Sequence, residues 1–203
     1  AKANIHRRGT ESVPPMKWTT FSIFCIFYLA LMLFAERRPA PAVHQFSAAY
    51  DLSNEMSVLH APAEVQGNGW TAGAIPPQRL VAPLVRLEAD ANQQVTLREI
   101  VRYEKEHGAI PPGALIVVDA QRPSFDFDAV RFLAEGRDAY GLAATGEVNF
   151  IANAPFIAAK GMYVIDRVSL PAIAKAGAIV TIAPEKSQTA VAPVRLIALE
   201  QAQ

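Results

Sequence analysis

Residues 80–119 read LVAPLVRLEADANQQVTLREIVRYEKEHGAIPPGALIVVD, and this stretch decides the fold class. Leu80 to Leu87 is apolar and rich in branched side chains, which predicts a strand. Pro83 inside it has no N–H to give to a ladder, so an edge or a bulge is expected there. Thr96-Leu97-Arg98-Glu99 is a capping box: the Thr hydroxyl and the Glu carboxylate satisfy free backbone donors at a helix start. The helix so opened runs to His107, and Gly108 stops it. Ala114 to Asp119 (ALIVVD) reads as a buried strand. Strand, helix and strand in that order predict an α/β domain.

The same pattern continues on both sides. Phe46 to Leu52 reads as a strand. Asp126 to Glu135 has the period of an amphipathic helix. Met162 to Ile165 is a short strand, and Ser169 to Ala176 a short helix with Gly177 after it. Ala178 to Ala183 and Val191 to Leu199 are closing strands. There is no internal repeat.

Composition narrows the function classes. With 19 basic and 19 acidic residues the formal net charge is zero, which gives no electrostatic basis for a nucleic-acid partner. The single cysteine, Cys25, excludes an intramolecular disulfide and a cysteine zinc cage. Four histidines (His6, His44, His60 and His107) are the whole stock of imidazole. The sequence holds no phosphate loop, dinucleotide fingerprint or G-x-S-x-G elbow.

The N-terminal part has a different character. Residues 18–35 read WTTFSIFCIFYLALMLFA, with no charge. As a helix this stretch spans roughly 27 Å, close to a hydrocarbon core of about 30 Å. Trp18 stands at one end, where an indole favours the interface. Phe21, Phe24, Phe27, Tyr28, Leu31 and Phe34 supply the lipid-facing bulk. The run is too long for a cleavable signal peptide, and bulky Leu33 and Phe34 stand where small residues would be needed. A retained single-pass anchor is therefore expected. Lys2, Arg7, Arg8 and Lys17 precede it, against Arg37 and Arg38 after it, which favours a cytoplasmic N-terminus and an exported domain. In a bacterium that means the inner membrane, with the domain in the periplasm. The expected organisation is a tail over 1–17, a transmembrane helix over 18–35, a linker over 36–45 stiffened by Pro39 and Pro41, and a soluble domain over 46–203.

Several short pieces of the soluble part come in a telling order. They are Tyr50-Asp51-Leu52-Ser53, Ala61-Pro62-Ala63, Ile75-Pro76-Pro77 through Val85, Glu104 through Gly113, Gly161 to Asp166, Pro184 through Lys186, and Ala192-Pro193-Val194-Arg195-Leu196-Ile197-Ala198-Leu199. In order and spacing they resemble the cyclase family, which includes the bacterial kynurenine formamidases. The resemblance covers nearly all of the soluble part. It implies a cyclase-like α/β domain of the swivelling β/β/α type and a family of metal-dependent amide or ester hydrolases.

What the resemblance lacks is equally informative. Active members resembling this chain draw their ligands chiefly from H-x-G-T-H-x-D-x-P-x-H, with a later His and an acidic residue. Such groups hold a divalent ion that lowers the pKa of a bound water. Anchoring that motif on Ala61-Pro62-Ala63 puts His60 at its Asp position, Val58 at the preceding His and Glu64 at the final His. The first His falls near Asn54, and the Gly-Thr pair becomes Met56-Ser57. The later His falls near Asn153 or Ala154, and the late acidic ligand becomes Asp166. Only seven residues, Asn54 to His60, separate the opening D-L-S from Ala61, where family members carry several tens more. A substrate-site T-G-W is replaced by Ala120-Gln121-Arg122. The resemblance therefore implies a degenerate member with no metal, no cofactor and no catalytic residue.

A fold kept without its catalytic groups is kept for its surface, and the anchor places that surface at a membrane. The expected role is an accessory subunit of a larger bacterial energy-transducing membrane complex, photosynthetic or respiratory. Its partners would be integral membrane proteins and the lipid bilayer. Two alternatives stay open: a module that keeps the old pocket for a small-molecule ligand, and a residual metal-dependent amide or ester hydrolase. Trp70, in a Gly-rich turn, and Phe125 and Phe127, flanked by Pro123 and Asp128, are candidates for a partner interface or for packing onto the domain. His107 reads as a helix C-terminal residue favoured by the helix dipole.

Overall fold

The computed structural model describes residues 46–62, 70–171, 173 and 176–201. The chain divides into two units, Ala1–Val43 and His44–Gln203, and all the described residues lie in the second. The expected tail, anchor and linker all lie outside the described residues. Among the described residues no helix is long and apolar enough to cross a membrane.

Among the described residues, ten strands and three α-helices follow one another: β1 (Phe46–Asp51), β2 (Val58–His60), β3 (Val81–Leu87), β4 (Gln94–Val95), α1 (Leu97–His107), β5 (Leu115–Val118), β6 (Ser124–Phe125), α2 (Phe127–Arg131), β7 (Gly141–Ala144), α3 (Ala154–Ala159), β8 (Tyr163–Asp166), β9 (Ala178–Pro184) and β10 (Val191–Gln201). The main sheet runs β1-β10-β2-β8-β7-β5-β3-β9, and β9 also pairs with β10. That last pairing closes a seven-stranded barrel, with β1 as an extra strand. The long β10 makes closure possible. Its residues 191–193 pair with β2, and residues 194–200 pair with β9.

Strands β3, β5, β7 and β8 are parallel, and they read as apolar runs because both of their faces are covered. Successive side chains alternate between two cores. Leu84, Leu115, Val117, Ala143, Tyr163 and Ile165 fill the barrel with Val180, Ile182 and Leu196. Val85, Leu87, Ile116, Val118, Leu142 and Val164 face outward under the helices, against Ile100, Val130, Leu133 and Ile157.

The capping box is present at α1: the Thr96 side chain accepts from the Arg98 N–H, and the Glu99 carboxylate accepts from the Thr96 N–H. Gly108 ends the helix at φ 88°. Three sequence expectations need correction. Pro83 lies on a strand paired on both sides, not at an edge. It is tolerated because the β5 pairing begins one residue later, at Leu84, while Pro83 faces β9. The helix expected over 126–135 is α-helical only to Arg131, and residues Phe132–Gly136 form a π-turn. The helix expected over 169–176 does not begin at 169–171, which are irregular, and part of that segment lies outside the described residues.

Candidate functional site

The site grows out of β2. This short strand lies between β10 and β8, with Val58 opposite Asp166, Leu59 opposite Ile165 and His60 opposite Val164. Leu59 and Ile165 point into the barrel core. Alternation along the strands then puts Val58, His60 and Asp166 on the outer face. His60 and Asp166 meet diagonally there, with Nε2 and Oδ2 2.9 Å apart. With a carboxylate as acceptor, the imidazole proton of this bond sits on Nε2. The second carboxylate oxygen, Oδ1, accepts the buried Val148 N–H at 2.8 Å. Phe150 tilts against the imidazole, with the ring centroids 5.7 Å apart.

An open cleft of about 490 Å³ lies over this pair, lined by His60, Arg122, Glu147, Val148, Asn149, Phe150, Ile151 and Asp166. It sits past the carboxyl ends of β5, β7 and β8, where ligands of open parallel sheets are usually found. Two loops build its rim. The Thr145, Gly146, Glu147 and Asn149 N–H groups donate to the carbonyls of Val118, Ala120, Gln121 and Pro123. The loop after β7 is thereby stitched to the loop after β5. Gly146 is required for this approach, since a Cβ there would come within 1.9 Å of the Gln121 carbonyl oxygen. The Arg122 N–H donates to Gln93 Oε1, which fixes the root of that side chain. A second cleft of about 420 Å³ adjoins the first and shares Arg122 and Glu147 with it.

The remaining sequence candidates have other surroundings. Asn54 donates from Nδ2 to the Arg167 carbonyl at 2.7 Å, beside the Ser57 hydroxyl, which donates to the same oxygen at 2.8 Å. Together they brace the turn after β8, where Arg167 takes a left-handed φ of 59°. Asn153 is buried and donates from Nδ2 to the Phe125 carbonyl at 2.7 Å. Val58 offers no donor atom. Glu64 lies outside the described residues.

Of the interface candidates, Phe125 is 5% exposed and belongs to the outer core, so it is packing and not surface. Trp70 packs onto the domain as one side of a clamp: the Arg79 guanidinium lies 5.2 Å from its ring and 4.6 Å from that of Tyr140. Phe127 is 49% exposed and meets Phe156 edge-on.

Sequence reasoning missed Glu147, Val148, Asn149, Phe150 and Ile151. They belong to the loop after β7, a strand whose Gly-Leu-Ala-Ala sequence carries little β signal.

The Cyclase family model matches residues 56–145. No curated protein matches the sequence significantly. Among solved structures the fold is similar to isatin hydrolase A from Labrenzia aggregata bound to benzyl benzoate, with a TM-score of 0.63 and 18% identity over 80% of this chain and 87% of that one. It is also similar to isatin hydrolase A from Ralstonia solanacearum, at 0.61 and 17% over 95% and 100%. A potential metal-dependent hydrolase with cyclase activity matches at 0.57 and 17% over 81% and 96%. The family-model match over residues 56–145 and the mixed α/β barrel shared with these structures support membership of the cyclase family.

The divalent ion that this family implies can be tested against the residues present. A catalytic site offers three or more protein donors around an open position. At the equivalent positions described here, His60 and Asp166 are hydrogen-bonded to each other. The other Asp166 oxygen is taken by Val148, Val58 is aliphatic, and the Asn153 amide nitrogen is committed to Phe125. No group of three His, Cys, Asp or Glu side chains able to hold a metal ion occurs among the described residues. The described residues do not fit the ion.

Proposed function

We propose that this chain is a non-catalytic, membrane-anchored member of the cyclase family that serves as an accessory subunit of a larger bacterial energy-transducing complex, photosynthetic or respiratory. The carrying observation is the state of the old ligand positions. His60 and Asp166 serve each other, Val58 gives no donor, and Asn153 supports the backbone of a neighbouring strand. Groups so engaged stabilise a fold but have lost the arrangement that activates water. The apolar stretch over residues 18–35 supplies the anchor, with the N-terminus in the cytoplasm and the domain in the periplasm of the inner membrane. Exposed Phe127 and Ile151 are apolar groups of the kind a partner protein covers.

The cleft above His60 favours a second role for the same fold, the binding of a small molecule without turnover. Hydrolysis separates both roles from enzyme activity. The full-length chain in detergent, supplied with Zn²⁺ or Mn²⁺, is expected to leave isatin and simple aryl amides and esters unhydrolysed. Metal-dependent turnover that disappears in His60→Ala would overturn the non-catalytic reading. Membrane fractions yielding the chain only as a free monomer would overturn the subunit reading.

A further inference from the structure

The charges of the cleft are unevenly matched. Asp166 has both oxygens engaged, by His60 and by the Val148 N–H. Glu147 is paired with Arg167. Arg122 stands at the border shared by the two adjoining clefts, and its guanidinium has no ion-pair partner among the described residues. Its backbone, by contrast, is fixed: the N–H donates to Gln93, and the neighbouring Gln121 carbonyl is held by Glu147. A cation is thus presented on a secured loop at the mouth of a cavity whose carboxylates are already satisfied. The same cavity offers an apolar wall, made by Phe150 and by Ile151, which is 81% exposed.

We propose that this cleft binds a small organic carboxylate with a flat apolar body, its carboxylate on Arg122 and its body against Phe150 and Ile151. The guanidinium is a planar fork that matches a carboxylate through two parallel N–H bonds. Flat apolar bodies gain by leaving water for an aromatic and an aliphatic wall. A volume of about 490 Å³ accommodates a single-ring acid with water to spare. No metal enters this recognition, and the ligand is held and not transformed. The proposal rests on the ligand-binding role of the cleft and is independent of the subunit role.

The test uses the full-length chain in an uncharged detergent, with benzoate and its neutral analogue benzamide as probes, followed by saturation-transfer NMR against a detergent blank. Benzoate is expected to bind, with benzamide about tenfold weaker, and Arg122→Gln is expected to weaken benzoate about tenfold while leaving benzamide unchanged. Arg122 is exposed, so the variant keeps the wild-type melting temperature, which circular dichroism checks. Equal binding of both probes, undiminished in Arg122→Gln, would overturn carboxylate recognition while leaving a ligand-binding cleft. Absence of binding by either probe at millimolar concentration would overturn the proposal together with the ligand-binding role.

Discussion

Asp166→Ala is the most informative single change, because Asp166 serves as a structural acceptor for His60 and Val148. The substitution removes two hydrogen bonds, 2.9 Å to His60 Nε2 and 2.8 Å from the Val148 N–H. Val148 is 5% exposed, so water does not readily replace the lost acceptor. An orphaned buried donor costs about 1–3 kcal/mol, and the lost bond to His60 adds about 1 kcal/mol. The expected destabilisation is therefore about 2–4 kcal/mol. For a domain of this size that lowers Tm by roughly 5–15 °C. Asp166→Asn keeps an oxygen for Val148 and an amide for the imidazole, so its cost is expected to be about 1 kcal/mol. Thermal unfolding of the full-length chain, followed by near-UV circular dichroism with and without EDTA, reads all of this. A wild-type Tm that falls on chelation, or an Asp166→Ala Tm equal to wild type, would rule out Asp166 as a purely structural acceptor.

Further expectations test the frame that carries the site. Burial alone would raise the Glu99 pKa, but bonds from the Thr96 hydroxyl and backbone and from Arg98 outweigh it and bring the value down from 4.5 to about 2. A depressed carboxylate stabilises above its unfolded pKa, so this contribution is present above about pH 4.5 and lost as pH falls toward about 2. Glu99→Gln, followed by urea unfolding at several pH values, is expected to flatten that acid-side loss. Gly146→Ala drives a methyl into the Gln121 carbonyl and is expected to cost about 3 kcal/mol or more by denaturant titration. Gly108→Ala, at φ 88° in open space, is expected to cost only about 1 kcal/mol. Arg79→Lys is expected to lower Tm because an ammonium cannot stack flat between Trp70 and Tyr140 while donating to the Gly161 carbonyl, as the guanidinium does at 2.7 Å. An Arg79→Lys Tm equal to wild type would mean that the clamp does not stabilise the fold.

Much of the barrel was legible because its strands carry their own signal. The runs at 81–87 and 115–118 are apolar throughout, as strands covered on both faces must be, and the capping box at Thr96 marks the helix between them. The strand at 141–144 was not legible. Gly-Leu-Ala-Ala becomes a strand through its pairing with β5 and β8, and no local propensity reports that. The loop it launches holds most of the cleft rim, so the rim was lost with it. His60 and Asp166 were found through the family motif, but their mutual bond depends on a register between β2 and β8 that three residues of sequence cannot announce. Phe125 illustrates the converse. Its neighbours Pro123 and Asp126 look like a surface turn, yet pairing of β6 with β4 carries the ring into the core.

A domain retained for association and not for chemistry should be found bound to its partners and free of metal. Gentle detergent extraction of native membranes, followed by size separation, subunit identification and metal analysis of the same peak, tests it most directly. The chain is expected to co-migrate in fixed ratio with a large membrane complex and to carry no stoichiometric zinc or manganese. A chain that runs alone and carries a stoichiometric divalent ion would contradict it.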